Sequence, residues 1–190
     1  MPPKPKFTRE EITETALELV SAKGIEALTA QELGHALGSS ARPIFTVFKG
    51  MGEVKESVQM AAMERFETLA AEECSTMPLF KQIGMKMVLF GIREPKLYQL
   101  LFMQENAERI GFDGMLQTLG TSVALCVQTI EKDYGLTEVK AKSLFERMWI
   151  FTFGIGTLCA TKTCSFTEEE VSELLTAEFR ALMQLERTEQ

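Results

Sequence analysis

The sequence predicts an all-α chain of about nine helices, with a three-helix head over 1–52 and a larger helical body over 53–190. Three observations lead there. A Thr-x-x-Glu signature flanked by apolar residues occurs three times, each time before apolar residues at helical spacing. Glycine or proline punctuates the ends of most such runs. No segment alternates apolar and polar residues as a half-buried strand does, and no internal repeat is present.

The first signature is Thr8-Arg9-Glu10-Glu11, with Phe7 and Ile12 as its apolar staple. Ile12, Ala16, Leu19 and Val20 then line one face of a helix that stops at Gly24. The second is Thr29-Ala30-Gln31-Glu32, stapled by Leu28 and Leu33, and its short helix stops at Gly38. A third helix is expected from Ser39 or Ser40 to Lys49, with Pro43 in its first turn, where a missing N–H costs little. Gly50 and Gly52 are expected to break it. A long helix should follow from Glu53 to Thr76, ended by Met77-Pro78. Further helices are expected over about 79–91, 95–107, 113–134, 138–162 and 168–187. The last begins with the third signature, Thr167 to Glu170, stapled by Phe166 and Val171.

A hydrophobic fraction of 45% supplies a sizeable core. The longest strongly apolar stretch, Met148 to Ala160, is too short to cross a bilayer, which needs about 20 residues, so no membrane partner is expected. The N-terminal stretch lacks the apolar region of a secretory signal. Cys74, Cys126, Cys159 and Cys164 show no C-x-x-C spacing and read as reduced thiols of a cytoplasmic protein. The net charge of −7 excludes a sequence-blind nucleic-acid coat, but not a protein that touches DNA with one small face. Seven basic and seven acidic residues leave the first 55 positions neutral, so the remainder carries the whole deficit. Lys4, Lys6 and Arg9 sit on or beside a proline-containing arm, which suits either a phosphate-contacting arm or a solvated tail.

Two short helices meeting at Gly38-Ser39-Ser40 with almost no linker make a helix-turn-helix over about 29–49. Ala41, Ile44, Phe45 and Phe48 are spaced for packing, while Arg42, Thr46 and Lys49 share the opposite side, flanked by Pro43 and Val47. Arg42 suits guanine edges or phosphate, Thr46 bases or phosphate, and Val47 a thymine methyl. The hydroxyl and N–H of Thr29 suit a phosphate oxygen at a helix N-terminus, and Lys49 and Lys55 suit phosphates. The candidate DNA-contacting set is therefore Thr29, Ser39, Ser40, Ala41, Arg42, Pro43, Phe45, Thr46, Val47, Lys49 and Lys55. The same spacing also fits a packed three-helix corner with a polar outer face.

In the body, Phe66, Met87, Phe90, Tyr98, Phe102, Met103, Trp149 and Phe153 are candidates to line a cavity for an apolar or aromatic small molecule, or to fill an ordinary core. Val171, Leu174, Leu175, Phe179 and Leu182 form an apolar stripe on the final helix. With Gly154, Gly156 and Ala160 of the preceding helix, they could build a four-helix bundle across a two-fold axis, or cover their own core. No catalytic grouping is visible. The single histidine, His35, stands apart from the thiols, and no carboxylate–histidine set has metal-ligand spacing, so neither metal nor cofactor is expected.

The stretch KGIEALTAQELGHALGSSARPIFTVFKGMGEV resembles the tetracycline-repressor-like (TetR) family of bacterial transcription regulators over about Thr8 to Lys55. REPKLYQLLF, from Arg93, and MWIFTFGIGTL, from Met148, are similar to recurring segments of that family's body. The resemblance implies a homodimeric DNA-binding regulator, most often a repressor on a palindromic operator, released by a small-molecule effector. It also implies a dimer built by the last two helices. Departures are concentrated in the reading segment. Phe45 stands where the family has tyrosine, Thr46-Val47 where it has Arg-His, and Ala41-Arg42 where it has Arg-Gly. These changes remove donors and imply a different operator. Phe153 replaces a histidine of the body motif, implying a less polar pocket. The alternative is a helical small-molecule-binding protein that has lost specific DNA binding.

Overall fold

The structure is a computed structural model that describes residues 5–71, 78–105, 110–118 and 121–188. Among these residues it is all-α, with nine α-helices, two 3-10 turns and no strand. Two compact units divide the chain. The first comprises Met1–Ala71 with Arg93–Gln104, and the second Glu72–Ile92 with Glu105–Gln190.

In the first unit, α1 (Arg9–Lys23) starts with a complete capping box: Thr8 Oγ1 accepts from the Glu11 amide and the Glu11 carboxylate accepts from the Thr8 amide. A 3-10 turn (Ile25–Ala27) leads to α2 (Ala30–Ala36), capped by Thr29. Here only half the box forms, because the Glu32 carboxylate pairs with Lys23 instead. The third helix expected to Lys49 is not an α-helix. It is a single 3-10 turn (Ile44–Thr46) entered through Pro43. The ring removes a donor at Pro43, the Ile44 and Thr46 amides reach back only three residues, and one α-type bond follows from Phe48 to Ile44.

The long helix, α3, begins at Met51 and runs to Ala71, so Gly52 lies within its first turn rather than before it. The expected continuation to Thr76 falls outside the described residues. The helix expected over 95–107 is shorter, α5 being Pro95–Phe102 with Met103 as its cap. The Gln99 carbonyl accepts both the Met103 amide that closes the last turn and the Gln104 side-chain amide. α1 packs against α2, α3 and α5, and α3 against α5. Ile12, Val20, Leu33, Ile44, Phe48, Val54, Val58, Leu97 and Tyr98 are all essentially inaccessible. The compact first unit thus includes α3 and α5 beside the three elements of the expected head.

The second unit holds most of α4 (Leu79–Arg93), then α6 (Phe112–Thr118), α7 (Thr121–Tyr134), α8 (Glu138–Ala160) and α9 (Glu168–Thr188). The helix expected over 113–134 is therefore described as two segments, α6 and α7. α8 packs on α7 and α9. It runs antiparallel to α9, because Lys140 and Ser143 near its start both bond to Glu186 near the end of α9. The third capping box is complete, with Thr167 and Glu170 bonding reciprocally. Val88, Ile130, Leu144, Val171 and Leu175 centre the core. Among the described residues no helix is long and apolar enough to cross a membrane.

Candidate nucleic-acid interface and ligand cavity

The corner between α2 and the reading turn is set by two glycines. Gly38 has φ +62°; its amide donates to the His35 carbonyl and the Ser39 amide to the Gly34 carbonyl, at 2.9 Å each. This is the left-handed two-bond helix stop. Gly34 serves a different need. A Cβ there would lie 2.8 Å from the Ala41 nitrogen and the Ser40 carbonyl carbon, so the chain can double back only over a glycine.

Beyond the corner, Ile44 and Phe48 are buried, while Arg42, Phe45, Thr46 and Lys49 are exposed. Phe45 is 47% exposed, so its ring is a surface group rather than the packing residue its spacing suggested. The Thr46 hydroxyl donates to the Pro43 carbonyl at 2.6 Å, which leaves its oxygen as an acceptor. Ser40 is exposed, and Ser39, Ala41, Pro43 and Val47 are half-buried. At the start of α2, the Thr29 amide donates to the Ala27 carbonyl, so it is not free for a phosphate. The Thr29 hydroxyl oxygen accepts from Glu32 and still has a proton to donate. Lys55 is exposed on α3, and Lys6 of the N-terminal arm reaches Ser39 Oγ at 3.0 Å. The arm thereby sets a cation beside the reading segment.

Glu53 had no role from the sequence, and Arg9, expected beside a phosphate-contacting arm or a solvated tail, packs inward with it. The Arg9 guanidinium lies 4.1 Å over the Phe48 ring, donates to Ser57 Oγ and pairs with Glu53. Glu53 also accepts the Lys49 amide at 2.7 Å. The Lys49 amide first, and Arg9 second, hold the Glu53 carboxyl below the ordinary value of 4.5. Together they clamp the end of the reading segment to α1 and α3. The signal was a carboxylate in the first turn of α3; its partners lie 4 and 44 residues away.

Within the second unit lies a cavity of about 360 Å³. Phe80, Ile83, Met87, Phe145, Met148, Trp149, Leu175 and Phe179 supply apolar walls, and Lys81, Tyr134, Thr152, Thr176 and Arg180 supply polar groups. Burial first, then Asp133, raises the pKa of the Tyr134 hydroxyl, keeping it a neutral phenol. Of the sequence candidates for a pocket, only Met87 and Trp149 line this cavity. Phe90 is buried, and Phe153 stacks on Trp149 at 5.0 Å. Phe66, Tyr98 and Phe102 instead form an aromatic cluster in the first unit, with ring separations of 5.4 Å and 5.0 Å, and Met103 is half-buried at the end of α5.

The residues expected at a dimer interface also divide. Gly156, Ala160, Val171, Leu175 and Leu182 are buried within their own unit, and Leu175 and Phe179 line the cavity. Gly154 is exposed and Leu174 half-buried. Ile150 and Leu158 flank Gly154 one turn to either side and are 55% and 40% exposed; on α9, Leu185 is 51% exposed. An apolar stripe of Ile150, Gly154 and Leu158 on α8, and another of Leu174, Ala177, Ala181 and Leu185 on α9, thus face outward.

No family model matches the chain, and no curated protein does. A solved structure does match: a Vibrio parahaemolyticus protein assigned to the TetR family of transcriptional regulators. The match has a TM-score of 0.59 and 15% sequence identity, and covers 91% of this chain and 97% of that one. This chain has the fold of that regulator.

Proposed function

We propose that this chain is a homodimeric transcriptional regulator, a repressor whose head reads a palindromic operator and whose release is driven by a small apolar or aromatic effector. DNA binding is assigned to residues 1–52, and effector binding and dimerisation to 53–190. The observation that carries the reading is the glycine-set corner: α2 stops at Gly38, the backbone doubles over Gly34, and the exposed Arg42, Phe45, Thr46 and Lys49 follow at once. Lys6, Lys49 and Lys55 suit phosphates, and Arg42 a guanine edge. Dimerisation is assigned to the outward stripes of α8 and α9, which are apolar and contain small residues where helices would cross. Effector and operator must then weaken each other's binding by the same factor.

The test is a fluorescence-anisotropy titration against DNA from upstream of the protein's own gene, with random DNA alongside at two salt concentrations. Binding well above the random control is expected, on two half-sites about one helical turn or a multiple apart. Arg42→Ala should cost about 1–3 kcal/mol of specific affinity. One observation favours the second reading, a small-molecule-binding protein without specific DNA recognition: the reading segment is one 3-10 turn rather than an α-helix. Under that reading a genome-wide fragment selection recovers no site, and Arg42→Ala changes nothing.

A further inference from the structure

We infer that the cavity of the second unit takes an apolar molecule bearing an anionic group, whose charge is held by Lys81 and Arg180. The inference rests on the proposal that this cavity is the effector site, and it names the ligand's chemistry. Two cations line the cavity, and no Asp or Glu lies among the described residues that do so. In a chain of net charge −7 this is a local reversal of sign.

Lys81 is held in place: its Nζ donates to Ser172 Oγ at 2.7 Å and to Thr176 Oγ1 at 2.9 Å. An ammonium has three donors, so one remains. Its two partners are neutral hydroxyls, and neither Lys81 nor Arg180 forms an ion pair among the described residues. Lys81 is half-buried, and its ammonium meets two neutral hydroxyls and no countercharge among the described residues. A bound anion would supply one. Arg180 lies one helical turn beyond Thr176 on α9, on the same face as the hydroxyl that Lys81 engages. The remaining walls are aromatic and aliphatic, and the volume sits near the small end for ligand sites, enough for a compact ring system or short chain. A neutral apolar ligand would need neither cation.

Two fluorescent probes share one ring system and differ in charge: 8-anilinonaphthalene-1-sulfonate carries a sulfonate, and N-phenyl-1-naphthylamine does not. Trp149, the chain's one tryptophan, lines the cavity and reports occupancy by energy transfer to either probe. The intact protein should bind the sulfonate at one site per chain, at least as tightly as the neutral probe despite the sulfonate's stronger hydration. Lys81→Gln combined with Arg180→Gln should weaken the sulfonate by at least about tenfold, the scale of a lost charged hydrogen bond, and leave the neutral probe within about twofold. Arg180→Gln alone, at an exposed position, decides the matter if the double variant does not fold. Tighter binding of the neutral probe, or equal losses for both probes, would overturn the anion preference and leave the cavity reading standing. Absence of energy transfer to either probe would overturn both.

Discussion

The two units solve opposite problems with the same secondary structure. In the first, the side chains beneath the reading turn leave no room: Ile12, Leu33, Ile44, Phe48, Val54 and Val58 are sealed, and backbone lies against backbone at Gly34. In the second, comparable helices stand around about 360 Å³ of space, walled by aromatic rings of which all but Phe145 are half-buried. A groove reader must hold its side chains in fixed register, which close packing supplies. A ligand site must remain hollow, at the expense of the dispersion contacts that filling it would add.

One substitution made in both units breaks or sharpens that contrast, and it gives the largest effect. Gly34→Ala puts a methyl against immovable backbone at 2.8 Å and should destabilise the first unit by about 1–3 kcal/mol, the usual cost of overpacking. Gly84→Ala puts the same methyl 3.5 Å from a Leu175 methyl and 3.6 Å from the Thr152 hydroxyl, which is ordinary contact. It should be neutral or stabilising by up to about 1 kcal/mol through helix propensity. Urea unfolding of both variants checks the pair. Matched losses would mean the cavity wall is as unyielding as the corner.

The caps come next. Thr8→Ala and Thr167→Ala each remove a complete box and should cost about 1 kcal/mol in thermal unfolding. Thr29→Ala removes half of one and should cost less, unless the Lys23–Glu32 pair is lost with it. Lys162 ends α8 at φ +57°, a left-handed conformation that glycine adopts without strain, so Lys162→Gly should stabilise by about 1 kcal/mol.

The smallest effects are chemical. Burial pushes the Cys126 thiol up to about 11, so a thiol reagent at neutral pH should label exposed Cys164 and leave Cys126 untouched until the protein unfolds. Glu53 has its pKa lowered on folding, so its clamp is fully present above 4.5 and weakens as pH falls through its lower, folded value. The Lys49 amide proton should report this, titrating with a midpoint below 4.5.

The helices were legible because their signals are local. Phe7, Thr8, Glu11 and Ile12 specify a helix start with bonds that span three residues, and Gly24 and Gly38 mark stops through left-handed backbone. The reading segment misled for an equally local reason: the apolar spacing of Ile44 and Phe48 suits a helix, but Pro43 removes a donor where the turn must tighten. The cavity was barely legible. Met87 and Trp149 line it, but Phe66, Tyr98 and Phe102 have the same composition and sit in the other unit. Lys81, one of three cations on the otherwise largely apolar α4, was the available signal, and it pointed to nothing until Ser172 and Thr176 came within 3 Å.

Sequence by itself determined that this chain is helical, where most of its helices begin and end, and that one corner presents a short polar segment. Those properties depend on bonds between near neighbours and on backbone freedom at single residues. Tertiary structure decided the rest: that the backbone crosses Gly34, that Arg9 and Glu53 clamp Lys49, and that two cations meet an apolar hollow. Each of these joins residues on different elements, and helical spacing states which face a side chain occupies but not which partner that face meets.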